Sequence, residues 1–270
     1  MEDHDRGLAF DLPRLVSRRQ AVALLAGGIG SAALAACGSS NKDATAPAAA
    51  TSDSTKTTAS NGDLTQIPEE TAGPFPGDGS NGPNILTASG IVRSDIRQSI
   101  GDASGVADGV LTKIEMTLLD VAGGGKPLSG AAVYLWHCDM SGRYSMYDPA
   151  VADENYLRGV QESDRDGKVT FTSVFPAAYS GRWPHIHFEV YESVNTATSA
   201  GSKLKTSQIA LPKKTCEAVY TSKGYEQSVQ NLGQTSLETD MVFSDGWASE
   251  LGTGSGDAKS GVTISLNVGV

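Results

Sequence analysis

Histidine is scarce in this sequence of 270 residues, with four in all beside three cysteines and three tryptophans. Any metal site built on imidazole must therefore find part of its ligand set elsewhere. Basic residues are also in deficit: 21 Lys and Arg face 31 Asp and Glu, for a net charge of -10. No basic stripe can neutralise phosphates, which excludes nucleic acid as a partner. The N-terminal apolar run AVALLAGGIGSAALAA has 16 residues, is rich in glycine, and falls short of the ~20 that a helix needs to span a bilayer. Internal repeats, a P-loop and a dinucleotide-binding glycine pattern are all missing.

What stands at the N-terminus reads as an export signal. Arg18-Arg19 precedes the apolar run at 21–36, which ends in Leu34-Ala35-Ala36-Cys37. The paired arginines resemble a twin-arginine signal and LAAC resembles a lipobox, whose cysteine is acylated and becomes the new N-terminus. Residues 1–37 are thus expected to carry the signal, leaving a chain lipid-anchored through Cys37 outside the cytoplasm. Residues 38–63 form a Ser/Thr/Ala-rich tract expected to act as a flexible tether. Cys138 and Cys216 remain, and spacing leaves open whether they pair as a disulfide or stay as buried thiols.

From residue 64 to 270 the chain alternates apolar and polar residues between Gly, Pro and Asp punctuation. Six strands are expected, at 111–120, 131–139, 168–175, 185–191, 205–211 and 262–270. This spacing predicts an all-β fold, a sandwich of mainly antiparallel strands. The acidic stretch Asp164-Arg165-Asp166-Gly167 lacks the later ligands of a calcium loop and reads as a hairpin turn.

The strand HIHFEVY, residues 185–191, poses the functional question. Alternation points Ile186, Phe188 and Val190 to the core and His185, His187, Glu189 and Tyr191 to the other face. Two imidazoles about 7 Å apart along a strand can reach one ion or can simply be polar groups on a wet face. His4 lies in the leader, so only His137 could add a third imidazole. Alternation puts it opposite Tyr134 and Trp136, as a hydrogen-bonded structural group. Tyr147 and Trp136 read as packing or pocket wall.

The neighbouring segments extend the pattern. TAGPFP (71–76), GAAVYLWHCDMSGRYSMYD (130–148) and RGVQESDRDGKVTFTSVFPAAYSGRWPHIHF (158–188) together resemble the intradiol ring-cleavage dioxygenases, particularly the protocatechuate 3,4-dioxygenase-like branch. The resemblance covers most of residues 65–248 and implies a β-sandwich holding one non-haem ferric ion, Fe3+, by two tyrosinates and two histidines. Carried over residue by residue, these are Tyr144, Tyr179, His185 and His187, with Arg182 facing the substrate. Tyr179 is implied to be the ligand a catechol displaces, taking a substrate proton, and Arg182 to stabilise the electron-rich ring. The implied partners are a small aromatic diol and O2, and the implied product is a cis,cis-muconate-type diacid. Trp183 departs from the pattern, standing where many relatives carry a smaller residue. The helical N-terminal segment through which some relatives dimerise has only the tether in its place. The rival readings are a binding lipoprotein without turnover and a metal scavenger.

Overall fold

The computed structural model describes residues 65–199 and 201–270. The expected signal at 1–37 with its Cys37, and the expected tether at 38–63, lie outside the described residues. Nine strands dominate the described residues: β1 Leu111–Asp120, β2 Lys126–Pro127, β3 Ala132–Trp136, β4 Arg158–Glu162, β5 Lys168–Val174, β6 His185–Tyr191, β7 Lys203–Ala210, β8 Thr253–Asp257 and β9 Gly261–Gly269. Three short helices, α1 Val194–Thr198, α2 Lys213–Val219 and α3 Glu226–Leu232, sit between β6 and β8.

The strands form two sheets. One runs β2-β1-β9-β8 with β5 also paired to β1, and the other runs β4-β3-β6-β7. The second sheet is antiparallel throughout. The first is mixed, because the C-terminal β9 lies parallel to β1. Along β1 every second side chain is buried, and Ile114, Met116 and Leu118 share one core cluster with Phe171 of β5, Ile264 of β9, and Ile186, Phe188 and Val190 of β6. Alternation along each strand thus supplies side chains from both sheets to a common core.

The structure closes one open alternative and corrects two expectations. The face of β6 carrying His185, His187, Glu189 and Tyr191 is not wet: all seven residues of the strand are buried. A second core cluster covers it, drawn from Ile85, Leu86, Ile91, Tyr134, Trp136, Tyr144 and Ala177 among others. Lys203 pins this layer to the sheet by bridging Asp78 at 2.5 Å and Glu189 at 2.6 Å, while Tyr191 donates to Glu189 at 2.6 Å. Second, the Asp164–Gly167 turn does not close a hairpin. It carries the chain from β4 in one sheet to β5 in the other, with the Asp164 carboxylate accepting from the amides of Asp166 and Lys168. Third, β3 stops at Trp136 rather than 139 because Asp139 draws the chain into a turn described below. Cys138 and Cys216 are both buried free thiols.

Candidate metal centre

The site is assembled by three local devices. The first is the turn after β3. Asp139 accepts from the amides of Ser141 at 2.8 Å and Arg143 at 3.0 Å, and from Arg143 Nε at 2.9 Å. Gly142 supplies the positive φ of 84° that the reversal needs. A Cβ there would also stand 3.2 Å from Tyr179 Cβ, so the glycine lets the two tyrosine-bearing loops approach. The turn delivers Tyr144 into the space above β6, 4% exposed.

The second device is β6 itself. His185 Nδ1 donates to the Trp183 carbonyl at 2.6 Å, which assigns the proton to that nitrogen and leaves Nε2 bare. His187 stands in a cross-strand row with Trp136 on β3 and Gln208 on β7. The Trp136 indole lies against the His187 ring, and His187 Nδ1 has no hydrogen-bond partner among the described residues. Gly73, at φ 69°, brings the backbone of the 71–76 loop up to the His187 ring, where a Cβ would stand 3.2 Å from Cε1.

The third device holds Arg182. Its Nε donates to Asp240 at 2.9 Å and an Nη to the Gln208 side-chain oxygen at 2.7 Å, while its other Nη lies 3.5 Å from His185 Nε2. Gln208 in turn donates to the Thr71 carbonyl at 2.9 Å, joining the loop to the sheet. Arg158, 1% exposed, ties the same loop to the Tyr144 turn through the carbonyls of Phe75, Pro76 and Ser145.

Four donor atoms converge: Tyr144 Oη lies 3.4 Å from Tyr179 Oη, Tyr179 Oη 3.1 Å from His185 Nε2, and His185 Nε2 3.1 Å from His187 Nε2. These consecutive spacings suit donors each about 2 Å from one ion. Burial, with Arg182 second, holds the His185 imidazole well below its usual range. Burial, with His185 second, does the same for His187. Both are therefore neutral imidazoles, each with one ring nitrogen able to offer a lone pair to a metal. Burial raises Tyr144 well above the usual phenol value and pushes Tyr179 up to about 12, with Arg182 opposing the shift at Tyr179. A cation among the four would reverse that shift and draw both phenols to phenolate. Among the described residues no carboxylate or thiolate joins the two imidazoles as a metal ligand. Two hard phenolic oxygens with two imidazoles fit a ferric ion better than a soft or ferrous one.

All four residues expected to bind the metal, and Arg182, thus meet in one place. His137 does not join them. It is buried, with Nδ1 donating to the Cys138 carbonyl at 2.8 Å and Nε2 2.7 Å from Ser173 Oγ. Trp183, the departure from the family pattern, points into the main core and donates its indole N–H to the Leu211 carbonyl at 2.9 Å. Sequence reasoning passed over Gln208, Arg158 and Asp240. Gln208 carried a faint signal as a polar residue inside an expected strand, and Asp240 carried none.

The chain is similar to several known proteins. A family model described as "Dioxygenase" matches residues 81–200. Catechol 1,2-dioxygenase 1 of Acinetobacter lwoffii is 41% identical over 56 residues, covering 20% of this chain and 18% of that protein. Chlorocatechol 1,2-dioxygenase of Rhodococcus opacus is 38% identical over 55 residues, covering 20% and 21%. The matched segment spans about a fifth of the length of these curated relatives. Among solved structures, an intradiol ring-cleavage dioxygenase from Tetranychus urticae superposes with a TM-score of 0.58 at 26% identity, over 76% of this chain and 94% of that one.

Proposed function

We propose that the chain is an intradiol ring-cleavage dioxygenase that holds one non-haem ferric ion through Tyr144, Tyr179, His185 and His187. With that ion it opens catechol-type diols between the two hydroxyl-bearing carbons. The observation that carries this reading is the convergence of two phenol oxygens and two imidazole Nε2 atoms at spacings of 3.1–3.4 Å. The two sheets sharing one core we read as the β-sandwich of the family.

When bound, the ferric ion supplies the positive charge that takes the diol as a dianion and the electron-accepting capacity that opens its ring to O2. The protein's own groups do the rest. Tyr179 is only half-buried, beside His185, and is suited to swing out and carry a substrate proton on Oη. Tyr144, packed against Phe75 with ring centroids 5.1 Å apart, is suited to stay. Arg182 is permanently cationic and held from two sides, so its charge is preorganised for the negative charge that develops on the ring oxygen. Trp136, fully buried and stacked on His187, lines the site with apolar surface that keeps water out. Both oxygen atoms enter a cis,cis-muconate-type diacid, so no reductant or organic cofactor is required.

Export is part of the same reading. Arg18-Arg19, the apolar run and Leu34-Ala35-Ala36-Cys37 occur in the order of a twin-arginine lipoprotein signal. The enzyme would meet aromatic diols outside the cytoplasm, anchored through Cys37. Iron content and labelled O2 test the central part. One iron per chain and both labelled atoms in the diacid are expected; a protein that holds iron and catechol yet consumes no O2 is a binding lipoprotein instead.

A further inference from the structure

Asp240 lies in the segment between α3 and β8, 58 positions from Arg182, and its side chain is fully buried in an ion pair with that arginine. Its carboxylate is saturated. Oδ2 accepts Arg182 Nε at 2.9 Å and the Trp183 amide at 2.6 Å. Oδ1 accepts the amides of Val242 at 2.9 Å and Phe243 at 3.2 Å. Four donors fix the carboxylate's plane, and the fixed plane fixes the guanidinium, which also lies over the Phe243 ring at 5.9 Å.

The same carboxylate reaches the metal centre by a second route. The Trp183 amide that it accepts belongs to the residue whose carbonyl receives the His185 Nδ1 proton at 2.6 Å. We propose that Asp240 is a positioning residue for ring cleavage: it aims Arg182 at the reacting ring. This inference rests on the ring-cleaving reading of the site. Asp240 touches neither ion nor substrate and acts through Arg182.

The sharpest test is a cycle of D240N, R182Q and the D240N/R182Q pair, with D240E as the conservative variant, each loaded with ferric iron. An amide at position 240 cannot accept from all four donors, because its nitrogen replaces one acceptor oxygen. D240N should keep its iron, its tyrosinate-to-iron colour and the spectral shift on anaerobic catechol binding. Its kcat should fall about ten- to hundredfold with KM changed far less, as outer partners of a metal site commonly cost. D240E should recover part of that loss, and the double variant should turn over no more slowly than R182Q, because Asp240 has nothing left to aim. Turnover of D240N within twofold of wild type overturns the proposal. So does loss of iron in proportion to loss of turnover, or a double variant tenfold below R182Q. Should D240N fail to fold because it leaves a buried cation unpaired, R182Q and the charge-free double variant still decide by their ratio. If iron-loaded wild type neither colours nor consumes O2, the functional reading fails and takes this inference with it. An active wild type with an indifferent D240N removes the inference alone.

Discussion

Trp136 lies flat against His187, the ring centroids 4.9 Å apart and the planes within 5° of parallel. His187 Nδ1 has no hydrogen-bond partner among the described residues, so the stack orients this imidazole where a hydrogen bond orients His185. Replacing Trp136 by Leu should therefore weaken ferric binding about ten- to hundredfold. Trp136→Phe, which keeps a stacking face, should lose far less. Chelator competition measures both, and equal affinities for the two variants would refute the stacking role.

The two kinds of ligand should separate cleanly. His185→Ala removes a buried, neutral donor at the centre of the cluster and should abolish stoichiometric iron binding. Tyr179→Phe leaves three donors in place and should retain some iron while losing most ring cleavage. Metal analysis beside O2 uptake reads the difference, and wild-type turnover in either variant would remove the proposed site.

Arg158 should matter for stability more than for chemistry. Its guanidinium is engaged by the Ser145 hydroxyl, the Tyr134 hydroxyl and the carbonyls of Phe75, Pro76 and Ser145. Arg158→Met strands several buried acceptors, at about 1–3 kcal/mol for each left unpaired. A loss of roughly 3 kcal/mol overall, or about 10 °C in Tm, is expected. Arg158→Lys should not rescue it, since an ammonium cannot span the same set. A change of less than about 2 °C in either variant would contradict the clamp.

His137 gives a pH dependence with a definite sign. Burial pushes its imidazole down to about 4. An unfolded histidine titrates near 6.5. Between those values the unfolded chain binds the extra proton, so stability is fully present above about pH 6.5 and drains away as pH falls toward 4. The full effect is roughly 3 kcal/mol. His137→Gln should flatten the stability profile between pH 7 and 4 by that amount. The ligand histidines are common to both proteins and cancel in the comparison. Parallel profiles would contradict a buried, neutral His137.

Much of this was legible in the sequence, because the chemistry and the strand period coincide there. β1 and β6 run where alternation puts them, and the HxH pair, both tyrosines and Arg182 sit in compact motifs. Other features had no local signature. β4, RGVQE, has no clean alternation, and β8, TGSGD, reads as loop. The three helices are only 5 to 7 residues long, too short to show a helical period. The parallel pairing of β9 with β1 joins distant segments, and the burial of the histidine face depends on residues 85–91, which no strand rule connects to β6. Asp240 is legible only in three dimensions, since its partner lies 58 positions away.

The central claim is that Tyr144, Tyr179, His185 and His187 hold a ferric ion that takes a catechol. The most direct measurement is the visible absorption spectrum of the purified, iron-loaded protein, titrated with catechol under nitrogen before air is admitted. A tyrosinate-to-iron band that shifts with catechol and decays on aeration, as a muconate-type product appears, is the expected result. A protein that stays colourless after ferric iron is supplied would contradict it.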